Sequence, residues 1–340
     1  VRGRPVPGDP EDRLVGWRAM HREVMAAARD CDLIHVQTPF VAHYAGLKAA
    51  RKLGLPVLAT YHTLFEEYLQ HYAAFLPAGW LRGQARAFSR RPCNALDTVV
   101  VPSKAMRARL ESYGVTTPLH VLPTGIPTTR FARGDGPAFR SRHGIPPEQP
   151  VALFVGRVAH EKNIGFLLEA LVHTRRQCPD ALLVVAGEGP ASADLQARAG
   201  QLGLAGGVRF IGYLDRRDAL PGCYAASDVF AFASRTETQG LVLLEAMAAG
   251  LPVVALSEMG TTDILDGGRG SIVPPACPQV FGETLAHILN HPSAWQHLGD
   301  DAAQYAREWS DVAMAGRMAE LYRRMAATEF APQRPLTATA

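Results

Sequence analysis

Short apolar runs alternate with longer amphipathic stretches along most of the chain. In the first part, runs such as PVLATY and TVVVPS predict strands at 33–37, 56–61, 98–103 and 119–122. A second series predicts strands at 151–156, 181–187, 208–212, 228–234, 252–256 and 270–273. Near-continuous apolar strands divided by helical stretches are typical of parallel sheets covered on both faces, which predicts an α/β protein.

A Pro- and Gly-rich segment at 122–131 predicts a linker between two α/β domains, assigned to 1–124 and 125–315. Ligands of such sheets bind beyond the carboxyl ends of the strands, so a cleft between the domains is the expected active site. Residues 1–14 are polar and Pro-rich, and the first clear strand is expected at 33. The last residues, 331–340, predict a disordered tail.

Length, charge and cysteine content limit the kinds of protein that this chain could be. A length of 340 residues suits two domains, and a hydrophobic fraction of 47% supports full cores. The net charge of +3 is too small to indicate nucleic acid as a partner. The five cysteines are scattered without a C-x-x-C pair, which argues against zinc and disulfides and favours a reducing compartment. Without a long apolar run or a signal peptide, the expected location is cytoplasmic.

The segment TETQGLVLLEAMAAGLPVVAL, at 236–256, carries the strongest chemical signal. Glu237 and Glu245 stand on either side of Gly240, at the start of a helix that is otherwise apolar all round. Such a helix is buried, so Glu245 needs a partner. The helix start offers backbone N–H groups to phosphate, while the carboxylates accept hydrogen bonds from hydroxyls. Together they suit a nucleotide sugar; the alternative is an N-terminal cap and a buried ion pair.

A second cluster follows the predicted strand at 151–156. Arg157 and Lys162 lie between this strand and the next helix, where two cations would neutralise a departing diphosphate. The alternative is a solvated pair of loop residues. The turn GEGP at 187–190 permits close backbone approach, although it lacks the third glycine of a dinucleotide-binding loop.

The two clusters resemble the E-x7-E and G-R-x4-K patterns of the retaining group 1 glycosyltransferases. The resemblance implies that Glu237 contacts the transferred sugar, that Glu245 binds the ribose, and that Arg157 and Lys162 bind the pyrophosphate. It also assigns a contact with the donor sugar to His62, at the end of a predicted strand, where the alternative is a satisfied core histidine. The remaining donor contacts that it implies are Gly156, Gly187, Gly189, Gly212, Tyr213, Leu214, Thr238, Gln239, Gly240, Leu241 and Val242.

The same resemblance implies a GT-B fold, with two Rossmann-like domains facing each other across a cleft. Members of this family usually open with a strand and a Gly-rich loop, so the first domain is expected to lack its N-terminal strands. A variant with a shorter first sheet is the alternative. The C-terminal helical stretch is expected to cross back to the first domain at 316–330.

The implied activity is the transfer of glucose or mannose from a nucleotide-diphosphate sugar to an acceptor hydroxyl with retention of configuration. No D-x-D pair lies near the motifs, so no metal or other cofactor is expected. The segment TYHTLFEEY is similar to that of enzymes that glycosylate diacylglycerol, which favours a lipid acceptor; bacterial mannosyltransferases are the other close group. The alternatives are a nucleotide-sugar epimerase and a truncated, inactive nucleotide-binding relic.

The stretch at 75–91 combines apolar side chains with several arginines. An amphipathic basic helix of this kind binds anionic membranes, which predicts peripheral contact with the inner face of the cell membrane. The alternative is a surface helix that packs its apolar side inward.

Overall fold

The computed structural model describes residues 4–6, 9–38, 40–62, 86, 87 and 89–329. The chain divides into two compact units, one of Val1–Pro123 with Ala315–Ala340 and one of Thr124–Met314. Among the described residues, no helix combines the length and the apolar composition that a membrane crossing requires.

The first unit begins with an antiparallel hairpin of β1 (Arg4–Val6) and β2 (Asp9–Leu14), which forms its own two-stranded sheet. The expectation that the first strand begins at 33 is therefore wrong. A hairpin is held by backbone hydrogen bonds, so a polar segment forms one without showing an apolar pattern.

A parallel four-stranded sheet follows in the first unit, in the order β3-β4-β5-β6. Ser103 caps the helix after β5, since its side chain accepts a hydrogen bond from the backbone N–H of Met106 at 3.2 Å. The strands are β3 (Ile34–Val36), β4 (Val57–Thr60), β5 (Thr98–Val101) and β6 (Leu119–Val121). The helices are α1 (Trp17–Ala27), α2 (Val41–Leu53) and α3 (Lys104–Ser112).

The C-terminal helix contributes to the core of this first unit. Leu321 and Met325, which are buried, form one cluster with Leu58 of β4 and Val100 of β5. The helix α13 spans Asp311–Arg324, and its Tyr322 packs against the same cluster and contacts the ring of His35 in β3.

The second unit holds a parallel six-stranded sheet in the order β12-β11-β10-β7-β8-β9. Its central strands are buried along their whole length, as their continuous apolar runs require. The strands are β7 (Val151–Val155), β8 (Leu182–Ala186), β9 (Val208–Gly212), β10 (Val229–Phe232), β11 (Val253–Ala255) and β12 (Ser271–Ile272).

Helices surround this sheet and complete the core. They are α4 (Thr128–Phe131), α5 (Gly136–Arg142), α6 (Ile164–Gln177), α7 (Ser192–Gln201), α8 (Ala219–Ala225), α9 (Leu241–Ala248), α10 (Thr262–Leu265), α11 (Pro278–Asn290) and α12 (Pro292–Arg307). Short 3-10 turns at His160–Lys162 and Met259–Thr261 precede α6 and α10.

Each strand that the apolar pattern predicts is present, and most are shorter than predicted by one or two residues at their ends. The sequence-based prediction of an α/β protein is therefore confirmed. Most of the basic stretch at 75–91, and the tail at 331–340, lie outside the described residues.

Candidate active site

The loops after β7 and β8 lie against each other through backbone hydrogen bonds. The N–H of Gly156 donates to the carbonyl of Ala186 at 3.0 Å, and the N–H of Val158 donates to that of Glu188 at 2.8 Å. A Cβ at Gly187 would lie 1.9 Å from the carbonyl oxygen of Gly156, and one at Gly189 would lie 2.3 Å from the carbonyl oxygen of Val158. Loop packing alone therefore requires glycine at 187 and 189, whether or not a ligand approaches.

Lys162 and Glu237 form an ion pair of 2.6 Å between Nζ and Oε1, with side chains 19% and 18% exposed. The two residues belong to loops after different strands, β7 and β10, which are neighbours in the sheet. The structure thus joins one member of each predicted cluster. Partial burial strengthens the attraction between these charges relative to bulk water.

Asn163 holds the loop of Lys162 in place, and the sequence patterns gave no role to this residue. Its backbone is left-handed, with φ of 55°, and its side-chain amide donates to the carbonyl of Ala233 at 3.2 Å. Asparagine tolerates this conformation better than most residues, which is the signal that could have identified it. The contact ties the turn before α6 to the end of β10.

Arg157 has a more open environment than Lys162. Its side chain is 54% exposed, and it pairs with Glu161 at 3.7 Å. This exposure fits the solvated-loop alternative for Arg157 better than for Lys162, while leaving the guanidinium accessible to an anion.

The turn at 258–261 packs against the loop 236–240 and supports it. The N–H of Gly260 donates to the carbonyl of Glu237 at 2.8 Å, and a Cβ at Gly260 would lie 2.1 Å from the carbonyl oxygen of Thr238. Gly240 then takes a left-handed conformation, with φ of 89°, and opens α9. Leu241 and Val242 are partly exposed at this helix start, where backbone N–H groups favour an anion.

The side chain of Gln239 forms its hydrogen bonds within the protein. Its side chain is buried, accepts a hydrogen bond from the N–H of Thr124 at 2.8 Å, and donates one to the carbonyl of Thr124 at 2.9 Å. A ligand contact at this position would therefore use the backbone.

Glu245 is fully buried and has two partners, as its place on an apolar helix requires. Arg216 forms an ion pair with Oε1, and the hydroxyl of Tyr224 donates to Oε2 at 2.9 Å. Burial raises the pKa of the Glu245 carboxyl, and the charge of Arg216 and the bond from Tyr224 oppose that rise in pKa. The surroundings of Glu245 therefore match the alternative of a buried ion pair.

Arg216 was missed by the sequence patterns. It lies in the loop after β9, which ends at Gly212, and the same loop contains Tyr213 and Leu214. The N–H of Tyr213 donates to Glu188 at 3.3 Å, while the Tyr213 ring is 70% exposed. This loop therefore offers an open aromatic face beside the site of Glu245 and Arg216.

His62 belongs to the first unit, directly beyond β4. It is exposed, and its Nε2 lies 2.9 Å from Oε1 of Gln37. Partial burial lowers the pKa of its imidazole, which favours the neutral ring. The alternative of a buried core histidine does not hold, since the side chain is at the surface.

Two family models match the chain. Residues 135–309 match "Glycosyl transferases group 1", and residues 1–130 match "Glycosyltransferase Family 4". The first of these covers the whole cluster of Lys162, Glu237 and Glu245.

Several curated proteins are similar to the chain. It is 34% identical over 254 residues to alpha-monoglucosyldiacylglycerol synthase of Streptococcus pneumoniae, covering 72% of this chain and 56% of that protein. It is also 34% identical, over 256 residues, to the GDP-mannose-dependent alpha-(1-6)-phosphatidylinositol monomannoside mannosyltransferase of Mycolicibacterium smegmatis, with coverage of 72% and 66%. The chain thus spans little more than half the length of some curated relatives that it matches.

Solved structures share the fold. HepE of Anabaena in complex with UDP superposes with a TM-score of 0.75 at 20% identity, covering 89% of this chain and 82% of that one. Sucrose-phosphate synthase of Thermosynechococcus elongatus gives a TM-score of 0.74 at 23% identity, with coverage of 97% and 84%. These likenesses show the GT-B fold.

Proposed function

Because this chain belongs to the group 1 glycosyltransferases, we propose that it transfers a hexose from a nucleotide-diphosphate sugar to an acceptor hydroxyl, with retention of configuration. The observation that carries the proposal is the contact between Lys162 and Glu237 beside the start of α9. A cation, a carboxylate and a helix N-terminus suit phosphate and sugar hydroxyls at one place.

Lys162 and the N-terminus of α9 bind the diphosphate, and Arg157 provides a second, more exposed cation. The ion pair with Glu237 holds the ammonium group in position before the donor arrives. Charge placed in advance stabilises the leaving phosphate without reorganisation during the reaction, so this mechanism needs no metal ion.

Glu245 binds the ribose, and Tyr213 supports the base. Because the Glu245 carboxylate is fully buried, a ribose hydroxyl reaches Oε1 when the half-exposed side chain of Arg216 moves aside, while Tyr224 stays on Oε2. The exposed ring of Tyr213 offers a face on which any base can stack. The second unit thus supplies the donor site, and we assign acceptor binding to the first unit.

Glu237 and His62 contact the hexose. In the reaction, the bond between C1 of the hexose and the phosphate oxygen breaks as the acceptor oxygen attacks C1 from the same face. The acceptor proton passes to the departing phosphate oxygen, so the chain need not supply a nucleophile. Glucose and mannose are the favoured sugars because relatives at 34% identity are named for transferring them to lipids.

The same relatives favour a glycerolipid acceptor, and with it a peripheral location at the inner face of the membrane. The basic stretch at 75–91 would supply that contact. Liposome sedimentation of the protein at low and high salt tests this, with Arg86→Ala, Arg90→Ala and Arg91→Ala combined in one variant. Equal sedimentation of the variant and the wild type would contradict it.

Calorimetric titration with UDP and with GDP tests the donor site. We expect Lys162→Ala to weaken binding by about 1.5–3 kcal/mol, since a charge-assisted contact is lost. Arg157→Ala should weaken binding less, because its side chain is 54% exposed. The matched control is Arg176→Ala, an exposed cation at the opposite end of α6, about 20 Å away. Affinity of Lys162→Ala equal to that of this control would contradict the diphosphate assignment.

A product assay tests the reaction itself. The wild type is incubated with UDP-glucose or GDP-mannose, with and without diacylglycerol, and the anomeric configuration of the lipid product is read by proton NMR. An α-linked product that requires the lipid is expected. A changed sugar without any acceptor would instead identify an epimerase.

A further inference from the structure

A continuous series of polar side chains runs through the first unit from His62 to the C-terminal helix. Oε1 of Gln37 lies 2.9 Å from Nε2 of His62, and Nε2 of Gln37 lies 3.0 Å from Nε2 of His35. The other ring nitrogen of His35, Nδ1, lies 2.6 Å from the hydroxyl of Tyr322. Thr60 adds a contact of 2.7 Å to Nε2 of His35.

The parallel sheet explains why these groups meet. His35 and Gln37 are two residues apart on β3 and its extension, so they point to the same face. Thr60 and His62 have the same relation on β4, which pairs directly with β3. Tyr322 reaches this face from α13, more than two hundred residues later in the chain.

The ring of His35 orients the amide of Gln37. Burial, followed by the neighbouring His62, lowers the pKa of His35 to about 4, so its ring is neutral at neutral pH. Its two ring nitrogens contact the hydroxyls of Thr60 and Tyr322. The amide nitrogen of Gln37 lies 3.0 Å from Nε2 and 3.3 Å from Nδ1 of His35, so it contacts the face of the ring. An amide N–H interacts favourably with an aromatic face, which keeps the Gln37 nitrogen turned towards His35.

The orientation of the Gln37 amide decides which nitrogen of His62 carries the proton. With its nitrogen turned to His35, the Gln37 amide presents its oxygen to His62, and a carbonyl oxygen can only accept. The proton of a neutral His62 therefore resides on Nε2, which leaves Nδ1 as the acceptor nitrogen.

We propose that Gln37 is a positioning residue that fixes His62 in the Nε2–H tautomer, so that Nδ1 accepts a hydrogen bond from a hydroxyl of the transferred sugar. His35 and Tyr322 hold the Gln37 amide in the required orientation. This inference rests on the proposed function of His62 as a contact to the donor sugar. It adds that the C-terminal helix takes part, through Tyr322, in setting the chemistry of a site residue.

The tautomer is measured on the full chain without any nucleotide, so the result does not depend on the proposed function. Long-range proton–nitrogen NMR on protein labelled with nitrogen-15 histidine distinguishes the two ring nitrogens, and His62→Ala assigns the signals. We expect the Nε2–H form of His62 in the wild type and a mixture of tautomers in Gln37→Met. A wild-type His62 in the Nδ1–H form, or the same tautomer in Gln37→Met as in the wild type, overturns the inference.

Kinetics provide the second readout. Gln37→Met, which keeps the length of the side chain but removes both polar atoms, should lower kcat roughly tenfold, or about 1.4 kcal/mol, with KM nearly unchanged. Gln37→Glu, assayed at about pH 8 to keep His62 neutral, retains an acceptor oxygen and should restore most of kcat. The matched control is Gln201→Met, an exposed glutamine in the second unit. An unchanged kcat in Gln37→Met, or a loss confined to KM, overturns the positioning role.

Discussion

The two units present their candidate site residues in different electrostatic forms. In the second unit the carboxylates of Glu237 and Glu245 are each paired with a cation. In the first unit, burial lowers the pKa of both His35 and His62, and neutral hydrogen bonds link them. In the proposed function, the cations Lys162 and Arg157 of the second unit bind the diphosphate by charge, whereas His62 of the first unit contacts the hexose as a neutral ring.

The pKa shifts also predict that the contributions of Glu245 and His35 to stability respond to acid in opposite directions. Burial raises the pKa of Glu245 in the folded state, so its contribution to stability is present at low pH and is lost as the pH rises through that folded pKa. The pKa of His35 falls from 6.5 to about 4 on folding. Its contribution is present above pH 6.5 and is lost as the pH falls towards 4.

Among the variants that test this comparison, removal of the cation beside Glu245 should cause the largest loss of stability. Arg216→Met leaves a fully buried carboxylate with Tyr224 as its remaining partner, and we expect a loss of about 2–3 kcal/mol, less than for a fully buried pair because Arg216 is half exposed. Hydrogen exchange by mass spectrometry of the second unit measures the loss. It should be larger at high pH than at low pH, since protonation of Glu245 removes the unpaired charge.

The neighbouring Arg217→Met is the matched control, since Arg217 is exposed in the same loop. The double variant Arg216→Met with Glu245→Gln should recover part of the stability, because the buried group is then neutral. A loss in Arg216→Met that does not change with pH would contradict the buried-charge explanation.

The buried side-chain amide of Gln239 provides an uncharged counterpart to Glu245, and its removal should cause a smaller loss of stability. Gln239→Ala removes both hydrogen bonds to Thr124 and leaves a backbone donor and acceptor without these partners. We expect a loss of roughly 1–2 kcal/mol, independent of pH. The same exchange experiment measures it, with the exposed Gln201→Ala as control. Stability equal to that control would show that the linker does not need this anchor.

The smallest expected effect concerns His35. As the pH falls from about 6.5 to 4, the protection of β4 and β5 in the wild type, relative to the intrinsic exchange rate at each pH, should decrease, because His35 must gain a proton that its folded environment disfavours. His35→Asn should weaken this dependence on pH, whereas His287→Asn, at an exposed position of the second unit, should not. Equal pH dependence in the wild type and in His35→Asn would contradict the attribution of this pH dependence to His35.

Local patterns predicted the strands and the need for a partner of Glu245, because both follow from burial. An apolar run shows that a strand is covered, and a single charge on an apolar helix shows that something must compensate it. Neither pattern could identify Arg216 or Tyr224. Both partners come from other elements of the second unit, and many arginines in the sequence satisfy the same chemical requirement.

The network around His62 shows the same limit more strongly. The sequence drew attention to His62 through the family resemblance, but His35, Gln37 and Tyr322 carried no recognisable motif. Their roles depend on the pairing of β3 with β4 and on the return of α13 to the sheet. Similarly, the hairpin of β1 and β2 forms from polar residues, where hydrophobic periodicity gives no signal.

The sequence by itself determined the fold class, the order of the strands along the chain and the family, since periodicity and short motifs are properties of neighbouring residues. Tertiary structure alone decided that Lys162 contacts Glu237, that Glu245 is shared between Arg216 and Tyr224, and which ring nitrogen of His62 faces Gln37. The physical reason is that ion pairs and hydrogen bonds depend on distances of about 3 Å between atoms. Only the packing of strands and helices that are distant in sequence sets those distances.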